Sequence, residues 1–514
     1  MCLKNAMPYN LKYKTKSTPT KDFLKSTITK PIILINVFFA VIYFVVITFF
    51  FTEGNTFLFW LLIGGEVFHM WLLFTFLFTV WEMKETKPFN ALYMPEVDIF
   101  ITVAGEPKSV IEETIIAVKE MNSAKKNIYI LNDGFVAKRE NWMEAEEVAR
   151  EHGVNVITRK IPGGAKAGNI NNALKKTTSE YIVIFDADHV PYGNFLEKTL
   201  PFFSDPSVAF VQSPQFYKNY NLNRVTRGSW EQQELFFGPI CKGKNSLNST
   251  TMCGTNMVIR KDALLSVGGM CEESIAEDFA TGLFLHQKGF TSVYVPEVLA
   301  EGLAPEDFLS YYKQQFRWAR GAFDVLFKYN VLFRRGLTLS QRIQYLSSAS
   351  YFLSSLIVVM NALIPFVYFF TGAVPFLIST MLLAVVFIPY IFLTLYVLQR
   401  STNFSVTFNA LAFSMSSFSI HISALWSLLS GKKTTFEITS KKKLEGNFLN
   451  LVKAHIFYIA LLPVGLTVAI IREGVSASVV ANSAWAILNA VIFTEFILAA
   501  MPDSFSFSKN FQKK

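Results

Sequence analysis

Apolar residues along this chain come in two textures. Residues 31–51 and 57–81 are long, nearly unbroken apolar runs, and runs of the same kind return at 349–370, 376–397, 448–471 and 475–500. Each is near the ~20 residues a helix needs to cross ~30 Å of hydrocarbon, so about six spans are expected. Between the second and third runs the texture changes to short apolar strands alternating with amphipathic helices. Residues 97–103 read as a buried strand, 107–122 as a helix, 127–131 as a strand ending at Asn132-Asp133-Gly134, 137–152 as a helix and 154–158 as a strand. A short helix at 169–176 and a strand at 180–185 follow, the strand ending at Asp186-Ala187-Asp188. Further on, 253–260 reads as a strand and 279–287 as a helix opened by Ala276-Glu277-Asp278. This alternation predicts right-handed βαβ units: an α/β domain with a mostly parallel sheet and helices on both faces, inserted between transmembrane helices.

Residues 404–429 are apolar but broken by eight serines and threonines and by His421. They read as an interfacial helix, because a seventh crossing would carry the 431–443 loop to the wrong side. The expected partition is a cytoplasmic segment (1–30), a span pair (31–82), the α/β domain (95–303) and interfacial helices (304–345). A second span pair (346–398), an interfacial helix with a loop (399–447), a third span pair (448–500) and a tail (501–514) complete it.

Composition agrees. Of 514 residues 51% are hydrophobic and 51 are Phe, too apolar for a soluble protein of ordinary make-up. Lysine placement orients the spans. Seven lysines precede Pro31, clusters recur at Lys84/Lys87, Arg334/Arg335, Lys432/Lys433, Lys441–Lys443 and Lys509–Lys514, and the outer loops hold only Arg472. By the positive-inside rule both termini and the α/β domain are cytoplasmic in a multi-pass protein of the cell (plasma) membrane. The net charge of +9 is thus membrane-flanking, and no nucleic-acid partner is expected. The first run is too long for a signal-peptide core and lacks a small-residue cleavage site. Cys2, Cys241, Cys253 and Cys271 form no CxxC pair and are expected as free thiols, and the six His lack zinc-ligand spacing.

Candidate chemistry gathers at strand ends, where ligands bind in such sheets. A lone DxD occurs by chance in solvated turns, but Asp186-Ala187-Asp188 follows a buried strand, where both carboxylates can face one cleft and hold Mg2+ or Mn2+. Lys166, in Gly163-Gly164-Ala165-Lys166-Ala167-Gly168-Asn169, reads as a loop lysine suited to a phosphate. Glu277 and Asp278 answer the helix dipole, and a carboxylate there is also placed to take a proton from a hydroxyl. Gln314, Arg317 and Trp318 share one helix face. The guanidinium fork suits a diphosphate and the indole is a flat plate for a sugar ring.

In this order and between membrane helices, Asp133, Asp186-x-Asp188, Glu277-Asp278 and Gln314-x-x-Arg317-Trp318 resemble the D, DxD, (T)ED and QxxRW signatures of processive family 2 glycosyltransferases of the cellulose-synthase-like kind. Further matches are Ala165-Lys166-Ala167-Gly168-Asn169, Val211-Gln212-Ser213-Pro214, Gly302-Leu303-Ala304-Pro305-Glu306 and Phe436-Glu437-Ile438-Thr439-Ser440-Lys441. The resemblance implies a GT-A-type domain that binds a UDP-sugar, an inverting transfer, and a polysaccharide that leaves through a channel of the same chain. It implies that Asp133 holds the uridine, that Lys166, Asp186, Gln314 and Arg317 face the diphosphate, and that Asp188 ligates the metal. Asp278, with Glu277 beside it, is implied as the general base, Trp318 and Cys253 as acceptor contacts, and Thr439 and Lys441 as closing over the nucleotide.

Three positions depart from the family pattern. Val103-Ala104-Gly105-Glu106-Pro107 stands for Thr-Tyr-Asn-Glu-Pro, Asn132 for the first Asp of Asp-Asp-Gly, and Ala276 for Thr. Fourteen residues after Ala500 leave no room for a cyclic-di-GMP-binding domain, so regulation by that route is not expected. The surroundings of Glu277-Asp278 look closer to glucan synthases than to hyaluronan or chitin synthases, which points to UDP-glucose as donor and a β-glucan (1→4, 1→3 or mixed) as product. A non-processive polyprenyl-phosphate glycosyltransferase would explain Asp133 and the DxD turn but not residues 314–318 or 436–441. A transporter with a degenerate nucleotide-binding domain would not need Asp188 and Asp278.

Overall fold

Every residue of the strand Val97–Val103 (β1) is buried, yet its side chains still divide by parity. Ile99, Ile101 and Val103 enter one apolar layer with Ile111, Ile115 and Val118 of the helix Lys108–Glu120. Phe100 enters the opposite layer with Ala167, Ile170 and Ala173 of the helix Ala165–Leu174. Period-2 alternation with both faces covered is what a central parallel strand requires. Burying each such side chain contributes roughly 1.5–3 kcal/mol.

In this computed structural model, which describes residues 22–122, 125–377, 380–431, 444 and 446–502, six more strands join β1. They are Lys126–Asn132 (β2), Asn155–Thr158 (β3), Tyr181–Asp186 (β4), Val208–Gln212 (β5), Met257–Arg260 (β6) and Thr291–Tyr294 (β7). The order across the sheet is β3-β2-β1-β4-β6-β5-β7. β3, β2, β1 and β4 are mutually parallel, β6 runs antiparallel to both its neighbours, and β5 is parallel to β7. One reversed strand in seven gives the mostly parallel, two-faced GT-A-type sheet that was expected. The reversal matters for the site. Because β6 runs the other way, the loop that enters it lies at the edge where the parallel strands end.

Three elements differ from the sequence reading. Residues 253–256 do not belong to β6, because Gly254 (φ +76) and Asn256 (φ +55) adopt left-handed conformations that break a strand. The helix expected from 137 begins at Glu144, after turns that open with the Asp133-Gly134 corner. Lys166 lies in the first turn of a helix, since Gly163 (φ +137) and Gly164 (φ +63) form the tight corner that starts it.

Among the described residues seven helices are long and apolar enough to cross a membrane: Lys30–Phe49, Thr56–Val80, Leu339–Thr371, Met381–Ser401, Phe408–Leu429, Leu449–Glu473 and Ala477–Ala500. That is one more than expected, the addition being the stretch read as interfacial. It consists of two helices, Phe408–Ser416 and Phe418–Leu429, joined at Ser417. They pack on the helices Arg224–Leu235 and Phe308–Lys328 as well as on the helix Ala477–Ala500. The third span starts ten residues earlier than its apolar run. Along Leu339–Ser350 the polar side chains face partners on both sides. Gln344 pairs with Thr79 (2.8 Å), Ser347 with Thr75 (3.0 Å) and Ser350 with Trp71 (3.1 Å) on the second span. On the α/β side Lys244 donates to Ser348 (2.6 Å), Gln341 to the Asn248 carbonyl (2.7 Å), and Tyr345 pairs with His286 (2.7 Å).

Candidate active site

A cleft of about 400 Å³ opens at the strand-end edge of the sheet. All ten of the proposed site residues that fall within the described chain line it: Asp133, Lys166, Asp186, Asp188, Cys253, Glu277, Asp278, Gln314, Arg317 and Trp318. Thr439 and Lys441 lie outside the described residues.

Asp133 follows β2, its amide bonded to the Val103 carbonyl (2.8 Å). Asn132, the departure from Asp-Asp-Gly, is fully buried: its amide donates to the Trp142 carbonyl (2.8 Å) and its oxygen accepts from the Gly134 amide (2.9 Å). Asn supplies both donor and acceptor to that turn, which a carboxylate could not. Asp133 itself is gripped at both oxygens by Arg159, Nε and Nη2 each 2.7 Å away.

Lys166 donates from the first turn of its helix to Asp186 Oδ1 and to the Gly254 carbonyl (2.8 Å). Burial alone would lower its affinity for the proton, but Asp186, with Glu277 and Asp278 nearby, holds the ammonium above its ordinary value. Burial would likewise push Asp186 up, and Lys166 more than reverses this. Thr102 Oγ1 adds a second contact to the Asp186 carboxylate at 3.0 Å.

Asp186, Asp188 and His189 form one group whose ligand-capable atoms lie within 4.8 Å of one another. Asp188 Oδ2 accepts from the Leu303 amide (3.1 Å). His189 is buried, and neither ring nitrogen has a hydrogen-bond partner among the described residues; Nδ1 lies 3.5 Å from Asp188 Oδ1. A buried imidazole with idle nitrogens beside two carboxylates fits a divalent cation of the Mg2+/Mn2+ type. Gly302 is what lets the ring sit there, since a Cβ would come within 2.5 Å of His189 Nε2.

The loop entering β6 ties these parts together. Gln212 is fully buried: its oxygen accepts from the Cys253 amide (2.9 Å) and its amide donates to the Thr255 carbonyl (2.8 Å). Gln215 donates to the Cys253 carbonyl (2.9 Å), and the Asp186 amide donates to Thr255 Oγ1 (2.9 Å). Gly254 presses on the acidic pair, a Cβ there meeting Asp278 Oδ2 at 2.8 Å.

Glu277 and Asp278 open the helix Glu277–Gln287. Burial pushes both carboxyls up, Glu277 to about 7, helped there by the Asp278 charge and resisted by Lys166 and Arg317. The Phe279 amide donates to Asp278 Oδ1 (2.7 Å). Opposite stands the helix Phe308–Lys328, capped by Asp307 Oδ1 on the Ser310 amide (2.8 Å). It approaches the acidic pair so closely that a Cβ on Gly321 would overlap Ala276. Gln314 reaches Tyr217 (3.5 Å) with its amide, while its buried oxygen has no hydrogen-bond partner among the described residues.

Arg159, His189 and Gln212 were not assigned roles from sequence. His189 had a signal, adjacency to Asp186-Ala187-Asp188, and Gln212 lay in a matched motif. Arg159 had only its place at a strand end.

Residues 181–400 match the family model described as glycosyl transferase family group 2, as the motifs led one to expect. The chain is 34% identical over 333 residues to the cellulose synthase catalytic subunit [UDP-forming] of Pseudomonas fluorescens, covering 62% of this chain and 44% of the relative. To the protein of the same description in Xanthomonas axonopodis pv. citri it is 35% identical over 302 residues, 57% of this chain and 41% of the relative. It therefore spans under half the length of these curated relatives. A solved mannosyltransferase from Pyrobaculum calidifontis, in complex with GDP-Man and Mn2+, aligns with TM-score 0.48 at 16% identity over 78% of this chain and 100% of its own.

Proposed function

We propose that this chain, the bearer of a family 2 glycosyltransferase domain among span-length helices, polymerises the glucosyl units of UDP-glucose into a β-glucan and passes the product across the membrane. The observation that carries the reading is the meeting, in one cleft, of an acidic pair, a Lys-bridged carboxylate group and the indole of Trp318. Asp133 lies where a uracil edge would be held, and Lys166 with Arg317 offers cations to a diphosphate. Trp318 is a plate under the terminal sugar of the acceptor, with Cys253 beside it.

In the transfer, the acceptor hydroxyl oxygen forms a bond to the anomeric carbon while the bond from that carbon to the diphosphate oxygen breaks. The hydroxyl proton passes to the Asp278 carboxylate, and UDP departs with the bonding electron pair on the opposite face, inverting the α linkage to β. A divalent cation held by Asp186, Asp188 and His189 would supply neutralisation of the charge growing on the departing diphosphate. One base and one charge-neutralising site suffice for this, whereas hydrolysis of a glycosidic bond would call on two opposed carboxyls with room for water. Processivity follows if the acceptor stays on Trp318 at the mouth of a conduit between the spans, with the domain and both termini in the cytoplasm.

The test is purified protein in lipid nanodiscs given radiolabelled UDP-glucose, UDP-N-acetylglucosamine and UDP-glucuronate in turn, the product being cut with linkage-specific glucanases. Label from UDP-glucose alone, in a glucanase-sensitive polymer, is the expected result. Incorporation only from the amino or acid sugar assigns a chitin- or hyaluronan-type product, and label only in a lipid-soluble monosaccharide assigns a polyprenyl-phosphate product.

A pH profile tests the base independently. The base must be unprotonated to act, and burial raises the Asp278 carboxyl above the ordinary aspartate range, so the rate falls as pH drops through that raised titration. Burial, not the Glu277 charge, raises Asp278, so Glu277→Gln leaves that acid limb in place. A limb that moves or vanishes in Glu277→Gln would mean that Glu277 is the titrating group.

A further inference from the structure

Arg159 is a buried cation that the transfer itself does not use. It follows β3, is 7% exposed, and spends its donors on two separate parts of the cleft. Nε and Nη2 clamp Asp133 in a planar fork (2.7 Å each), while Nη1 donates to the Gly163 carbonyl and Nη2 also to the Ala165 carbonyl (3.0 Å). The first partner stands at the end of β2. The second and third are the corner that aims the helix of Lys166. The helix also leaves room for the guanidinium: a Cβ on Gly168 would stand 2.6 Å from Arg159 Nη1 and overlap the Gly163 carbonyl. A lysine could replace the charge but not the fork, because an ammonium cannot meet both carboxylate oxygens and both carbonyls in one plane.

We infer that Arg159 is a positioning residue that couples the nucleoside half of the donor site, at Asp133, to the diphosphate half, at Lys166. The inference rests on the UDP-sugar reading above. Among the described residues Asp133 and Lys166 share no hydrogen bond, and the guanidinium that contacts Asp133 and the corner before Lys166 is the link by which a base seated on Asp133 sets the reach of Lys166 toward the phosphates. Loss of the link loosens both halves at once, a signature that loss of a single contact does not give.

The experiment is calorimetric titration of the full chain in nanodiscs with uridine 5′-monophosphate and, separately, with inorganic pyrophosphate, alongside donor kinetics. In Arg159→Lys both affinities fall about tenfold, the donor KM rises by a similar factor, and kcat stays within about threefold. Gly168→Ala, which crowds the guanidinium without removing it, reproduces the paired loss and serves where Arg159→Lys does not accumulate as folded protein. Pyrophosphate affinity unchanged in both Arg159→Lys and Gly168→Ala overturns the coupling, as does a fall in kcat with KM unmoved. Wild-type protein that binds neither ligand overturns the donor reading and this inference with it, whereas wild-type binding with unaltered variants overturns this inference alone.

Discussion

Asp278→Asn lowers polymer synthesis by about 10²–10⁴-fold, the usual worth of a general base, while UDP still binds within about twofold of wild type. The change is isosteric, and the Phe279 amide that contacts Asp278 Oδ1 can still be met by the Asn oxygen (2.7 Å in the parent). What goes is the only property the transfer needs at that atom, an oxygen able to take a proton. Asp133 keeps its contacts, and Lys166, though it loses one nearby charge, keeps its hydrogen bonds to Asp186 and the Gly254 carbonyl. The neighbouring Glu277, itself titrating near neutrality, is the one group close enough to substitute. Label incorporation from UDP-glucose, measured with UDP affinity on the same preparation, decides the point. Elongation at more than a tenth of the wild-type rate would take the base assignment away from Asp278, and its disappearance in the Glu277→Gln/Asp278→Asn pair would hand the role to Glu277.

The second large effect is expected at Asp188. Asp188→Ala removes one of the three side chains grouped for a cation and should cost about 10²–10³-fold or more in rate, the scale of losing one charge-stabilising group in a closed site. Wild-type activity should vanish with chelator and return with Mg2+ or Mn2+, and the variant should respond to neither. The Leu303 amide also loses its acceptor, at roughly 1–3 kcal/mol, so a thermal melt must accompany the assay. A variant that melts near the wild type and still shows full stimulation by Mn2+ would remove Asp188 from the cation site. His189→Ala is the companion measurement, since its ring nitrogens make no hydrogen bond among the described residues.

Much of this was legible in the linear chain because the telling residues sit where regular structure stops. Asp133 and Asp186 end apolar strands, and Gln314, Arg317 and Trp318 repeat at helical spacing. The misreadings have local causes. Gly163 and Gly164 look like slack, yet their positive φ values make the corner that starts a helix. Cys253 to Asn256 look like a continuation of β6 until two left-handed residues break it. Arg159 was invisible for another reason: its partner Asp133 is 26 residues away, and no periodicity announces a pair made by adjacent parallel strands. Residues 304–345 were read as interfacial helices, apart from the span that Leu339–Ser350 begins, because serine and glutamine announce a partner only once the neighbouring helix is in place.

That last helix bears on how the protein can be handled. A truncated version that begins at β1 and ends with the sheet would keep the DxD turn and the acidic pair but forfeit the indole, the guanidinium of Arg317 and the wall that Gly321 brings against Ala276. Extending it through Ser350 restores those parts, yet strands Gln344, Ser347 and Ser350 without Thr79, Thr75 and Trp71. Detergent-free crystallisation of a working core therefore calls for a redesigned outer face on Leu339–Ser350, not merely a well-chosen cut.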